Sequence, residues 1–167
     1  MNASEKSLSE KHREFVPLIA AIERIEESIG EAKLVPIRLE TADLHESLAH
    51  GLIPHAVGEG RTVFPVLRRV TGTSETSTEM TKEHREIARL TDELERLRKE
   101  IGAGVEPSHE RELAKLLGEL RHALEHHFEA EEQVCFQILK TELEPAEARE
   151  ICDAMEQATE VVRRNYE

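Results

Sequence analysis

The sequence predicts an all-α protein: an up-down four-helix bundle made of two duplicated helical hairpins, closed by a short C-terminal fifth helix. Three observations carry that expectation. Charged residues make up 34% of the chain and aromatic residues 3%, the balance of a protein with solvated outer faces and an aliphatic core. Apolar residues recur at helical spacing in five stretches separated by Gly, Pro, Ser and Thr. The chain also superposes on itself, without a gap, at a constant offset of 72 residues.

Each element follows from local signals. Ser7-Leu8-Ser9-Glu10 has capping-box spacing and opens the first helix, whose stripe of Leu8, Phe15, Ile19, Ile22, Ile25 and Ile29 runs to Gly30. The second helix starts near Pro36 and continues to about Arg69. TGTSETST is a turn and cap region, and the third helix follows from about Thr78 to Ile101. GAGVEPS interrupts the chain again, and the fourth helix extends from Ser108 to about Thr141. Pro145 opens the fifth, with Ala148, Ile151, Cys152, Met155 and Val162 on one face, as a cover for the bundle. The hairpins thus occupy about 5–70 and 77–141 and the covering helix about 145–165, within a single domain spanning the 167 residues.

The repeat aligns chemistry as well as packing. His12-Arg13-Glu14 falls on His84-Arg85-Glu86, and Leu48, His50, Leu52, His55, Glu59, Phe64 and Leu67 fall on Leu120, His122, Leu124, His127, Glu131, Phe136 and Leu139. Residues at i and i+4 stand one above the other on a helix. His55 with Glu59, and His127 with Glu131, therefore each aim an imidazole and a carboxylate in one direction. Each hairpin adds a further histidine 43 residues upstream, His12 or His84. Packed with approximate two-fold symmetry, the halves bring four imidazoles and two carboxylates to one point in the core.

Six such donors suit two metal ions, with bridging oxygen and an exchangeable position completing the coordination. Nitrogen and oxygen donors without thiolate fit iron, manganese or zinc, and iron is the expected metal, with zinc or manganese as substitutes. A single HxxxE on a helix is ordinarily a solvated pair. Two copies at one offset, lying on apolar stripes where unpaired imidazoles would be costly, argue for ligation. Around His55 and Glu59, the residues Gly51, Pro54, Gly58 and Gly60 give helix 2 a propensity handicap on the order of 6 kcal/mol. Either metal ligation or packing must offset it.

The net charge of -13 and isoelectric point near 5.2 argue against nucleic-acid and anionic-membrane partners. No apolar run approaches membrane-spanning length and the polar start lacks a signal-peptide pattern, so the expected location is cytoplasmic. Self-association as a homodimer stays open.

The order His, HxxxE, His, HxxxE resembles the hemerythrin-like HHE cation-binding family over nearly the whole chain. The residues carrying it are His12-Arg13-Glu14, His55 to Glu59 leading to Phe64-Pro65, His84-Arg85-Glu86, and His127 to Glu131 leading to Phe136. The resemblance implies that His12, His55, Glu59, His84, His127 and Glu131 hold a non-heme di-iron centre with a bridging oxo or hydroxo group. It implies a small oxidant as ligand: dioxygen, peroxide or nitric oxide. Oxygen-carrying members place a fifth histidine where this chain has Ala88 and end on an aspartate five residues past the last histidine, whereas here Glu131 follows at i+4. That departure implies a more symmetric and open centre, nearer the sensing and stress-response members. The readings left open are a di-iron protein reacting with its ligand and a non-catalytic iron or oxygen sensor or iron-binding module.

The remaining histidines and cysteines are expected to be secondary. His122 and His126 read as peripheral, since residue 126 is rotated about 100° from residue 127. His50 is a candidate for hydrogen bonding to a ligand carboxylate, His45 and His109 read as solvated, and Cys135 reads as a small core residue matching Val63.

Overall fold

A computed structural model of the chain describes residues 10, 12–30, 34–103 and 107–165. Its helices are α1 (Val16–Ser28), α2 (Leu34–Ser47), α3 (Ile53–Thr71), α4 (Glu75–Ala103), α5 (Pro107–Ala130), α6 (Phe136–Glu142) and α7 (Pro145–Arg164). A π-helical turn, Leu48–Leu52, joins α2 to α3, and another, Glu131–Cys135, joins α5 to α6. Five helical rods result and there is no strand among the described residues. The first four pack in a ring, α1 on α2, the α2–α3 rod on α4, α4 on α5, and α5 back on α1. This closure is that of an up-down bundle. The fifth rod, α7, lies along α3.

The boundaries differ from expectation in one place that matters. The first helix is not continuous from Ser7, which lies outside the described residues with Leu8. Residues 10 and 12 are helical, residues 13–15 form a turn, and α1 begins at Val16. Pro17 is the cause: it has no N–H to give Arg13's carbonyl, and its ring collides with that carbonyl in a regular helix. Tighter three-residue bonds replace the lost turn, Phe15 N–H donating to His12 O at 2.9 Å and Leu18 N–H to Phe15 O at 2.9 Å. At the other end α1 stops where expected, with Gly30 in the left-handed region at φ 86°.

The Gly and Pro residues of the second rod also find structural reasons. Pro54 has no N–H for the carbonyl of His50 one turn back, and there the rod widens into the π-turn. Arg163 of α7 donates its Nε–H to that carbonyl at 3.2 Å. Arg163→Ala should therefore lower stability by up to about 1 kcal/mol, measurable by urea denaturation. At Gly58 a Cβ would press on the Thr159 side chain and stand 3.0 Å from the Met155 carbonyl. The missing side chain is what lets α7 seat on α3. Gly51 and Gly60 meet no such obstacle.

Two apolar clusters fill the bundle. The larger joins Ile22, Ile25, Leu44, Leu48, Leu52, Leu90, Leu94, Leu97, Leu117, Leu120 and Leu124. The smaller joins Val63, Phe64, Leu67, Met80, Cys135, Phe136 and Leu139 with Ile151 and Met155 of α7. Along the second, third and fourth rods the polar residues of interest fall where the two clusters meet. Val134 is exposed, and Cys135, the next residue, is buried. The wider π-turn brings the later of the two residues to the inner face.

Candidate metal centre

The carboxylates of Glu59 on α3 and Glu131 at the head of the second π-turn lie between the apolar clusters, each side chain 1% exposed. Four imidazoles surround them. His12 Nε2 lies 2.5 Å from Glu131 Oε2 and 3.8 Å from Glu59 Oε1. His55 Nε2 is 3.1 Å from Glu59 Oε1, and His127 Nε2 is 3.5 Å from Glu131 Oε2, both within their own HxxxE pairs. His84 Nε2 stands between the two carboxylates, 3.5 Å from Glu59 Oε2 and 3.7 Å from Glu131 Oε1. All six sequence-predicted residues are thus gathered at one point. One ligand atom each from His12, Glu59, His127 and Glu131 falls within a sphere of mutual distances no greater than 4.8 Å. His84 is the least buried, at 11%, and marks the side nearest solvent.

Aromatic rings wall the cluster. The Phe128 and Phe136 rings meet His12 edge-on at 5.0 and 5.1 Å, Phe15 lies 5.0 Å from His55, and Phe64 stacks on His84 at 5.3 Å. The turn forced by Pro17 brings Phe15 into this wall. Within such a shell charge interacts strongly. Burial pulls the His12 and His84 imidazoles down, but Glu131 and Glu59 outweigh it and hold both above the ordinary histidine value. Burial likewise pushes Glu131 up, and the contacts with His12, His127 and His84 overcome it, leaving the carboxyl well below the usual range. The Cys135 thiol is pushed up to about 12 by burial and by the charges of Glu131 and Glu59. It is inert core, and neither it nor Cys152 forms a disulfide.

Whether this donor set fits a cation is decided by its own polar atoms. Both oxygens of Glu59, Oε2 of Glu131, and Nε2 of His12, His55 and His84 are buried and have no partner in hydrogen-bonding geometry. Native proteins rarely bury such groups unsatisfied. Nitrogen and oxygen lone pairs converging on one point without sulfur are the coordination chemistry of iron, zinc or manganese, so the residues fit a metal.

The other expectations divide. His122 and His126 are exposed, as expected. His50 does not reach a ligand carboxylate: it sits in the first π-turn, 41% exposed, 3.7 Å from Glu46. His45 is not solvated but half-buried against Glu95 at 3.6 Å, and burial lowers its pKa. His109 is also half-buried. One participant was not foreseen. Glu83 places Oε2 3.1 Å from His127 Nδ1 and Oε1 3.2 Å from His126 Nδ1. Its position directly before His84 was the only available sign, weak among 35 acidic residues.

Comparison with known proteins agrees with this geometry. Neither curated proteins nor solved structures give a significant match. The model of the hemerythrin HHE cation-binding domain matches residues 5–107, a range containing His12, His55, Glu59 and His84. With more than half of the chain matched, and with His127 and Glu131 of the second hairpin closing the same buried cluster, the chain belongs to the hemerythrin HHE cation-binding family.

Proposed function

We propose that His12, His55, Glu59, His84, His127 and Glu131 hold two metal ions, iron in the native protein, and that the loaded centre binds or reacts with a small oxidant such as dioxygen, peroxide or nitric oxide. The observation that carries this reading is the pair of glutamates at 1% exposure whose oxygens face four imidazoles and lack hydrogen-bond partners. Isolated buried carboxylates cost too much to persist without a compensating charge. A bound metal pair supplies positive charge, open coordination positions and electron-transfer capacity. The chain's own residues supply the rest. Phe15, Phe64, Phe128 and Phe136 keep water from the imidazoles. His84, on the most open side, is where a diatomic ligand finds the shortest way in.

The test is metal analysis of the full chain reconstituted with ferrous iron, followed by an aerobic absorption spectrum. Wild type should retain about two ions per chain and absorb in the near ultraviolet, the number following from six donors shared between two octahedral sites. Glu59→Gln and Glu131→Gln should each retain less metal while keeping the helical circular dichroism spectrum. Retention unchanged in both variants would remove these carboxylates from the centre. Turnover then separates the two functional readings. Sustained consumption of peroxide or dioxygen by the iron-loaded protein marks an enzyme, whereas stoichiometric binding without turnover marks a sensor or iron-binding module.

A further inference from the structure

The two halves of the cluster are not equivalent, and the difference lies one layer outside it. His127 is 1% exposed and carries its Nε2 toward Glu131 at 3.5 Å. Its other nitrogen, Nδ1, meets Glu83 Oε2 at 3.1 Å, and the second oxygen of Glu83 meets Nδ1 of His126, whose ring is 63% exposed. The ring of His127 thus stands between an outer carboxylate at Nδ1 and an inner one near Nε2. In the first hairpin, Nδ1 of His12, the counterpart of His84, is buried without a hydrogen-bond partner.

The internal repeat does not reproduce these two groups in the first hairpin. At the offset that places His55 on His127 and His12 on His84, the residue matching Glu83 is Lys11 and the residue matching His126 is Pro54. A lysine cannot accept a hydrogen bond and a proline has no imidazole. Pro54 is also bound up with the π-turn that precedes His55. The second hairpin therefore holds its HxxxE histidine from behind, and the first has exchanged both groups for others.

We propose that Glu83 is a positioning residue. It accepts a hydrogen bond from Nδ1–H of His127 and thereby fixes the tautomer that turns Nε2 toward the metal position, while His126 steadies Glu83 from the surface side. A ligand imidazole held through its far nitrogen is both better oriented and more basic. The half-site of the second hairpin is accordingly set before metal arrives, whereas the corresponding positions of the first, Lys11 and Pro54, supply neither group. The two ions bind with different affinities for this reason. This inference rests on the metal-centre reading above, and its test is arranged so that the two fail differently.

The test is a competition titration of the full chain with zinc against a chromophoric chelator, for wild type, Glu83→Gln and Glu83→Met. The two substitutions are close in size to glutamate, and only glutamine keeps an oxygen able to accept from Nδ1–H. Wild type should take up zinc in two resolvable steps. Glu83→Met should weaken one of them by about 10- to 100-fold and leave the other in place, and Glu83→Gln should recover the greater part of the loss. Melting of the metal-free variants, followed by circular dichroism, reads any purely structural role. Unchanged zinc binding in Glu83→Met, equal weakening of both steps, or equal loss in the Gln and Met variants would overturn the proposal while leaving the metal centre standing. Absence of zinc and iron binding in wild type itself would overturn the reading of the centre.

Discussion

Loading the metal-free protein should raise its melting temperature by about 8–16 °C. A ligand that binds only the folded state stabilises it by about 4 kcal/mol when its concentration is a thousand times its Kd. A chain of this size gains about 2–4 °C for each kcal/mol. The reason for expecting the whole of that gain is the condition of the metal-free cluster. Glu59 and Glu131 are buried at 1% exposure, and oxygens of both lack hydrogen-bond partners. A cation at this point relieves a cost that packing leaves in place. Differential scanning calorimetry before and after addition of a chelator measures the effect. A chelator-insensitive melting curve for protein shown by analysis to have lost its metal would contradict it. Amide exchange should localise the response, with residues 51–60 gaining more protection from metal than α5 does, because His55 and Glu59 tie that segment to the centre.

Gly58→Leu should cost about 3 kcal/mol, at the upper end of what overpacking a tight contact costs, and lower the melting temperature by about 6–12 °C. The added side chain would enter the space held by Thr159 and the Met155 carbonyl. Among the described residues, the contact it opens, α3 against α7, is the most extensive between two helices. Met155 and Ile151 would then leave the smaller apolar cluster that seals one end of the metal position. Gly60→Ala is the matched control. Nothing lies within 4 Å of a Cβ there, so replacing a glycine in mid-helix should stabilise by about 0.5–1 kcal/mol. Opposite signs at two glycines two residues apart would establish that contact with α7, and not helix propensity, governs this segment. Equal destabilisation at both would refute it.

These two expectations show where sequence reasoning was strong and where it stopped. The buried His and Glu cluster was legible because duplication repeats a pattern at a fixed distance, so each of His55, Glu59, His127 and Glu131 was supported by its partner in the other hairpin. Burial then agreed with the centre of each apolar stripe, as at Ile22, Ile25, Ile151 and Met155, while Ile19, Ile29 and Ala148 are only half-buried. The π-turns were not legible. They depend on which carbonyl a given N–H chooses, and in Glu131–Cys135 no proline or glycine signals the choice. His50 was misplaced for that reason. Pro17 was visible, but the regular spacing of Phe15, Ile19 and Ile22 hid the break it makes. Glu83 escaped because an acid on a helix of an acidic chain looks like solvated surface, and only the coordinates show its carboxylate turned toward His127.

The two π-turns occupy different steps of the repeat, one ahead of His55 and the other starting at Glu131. Each stores one residue more than a regular turn would, so the rods carry slack at two separate heights. Descendants of such a doubled gene could gain or lose a single codon there without re-aiming the rest of either rod. Length variation among related chains would then gather at these two steps, and the spacing between the histidines would drift by one while the pocket they share keeps its shape.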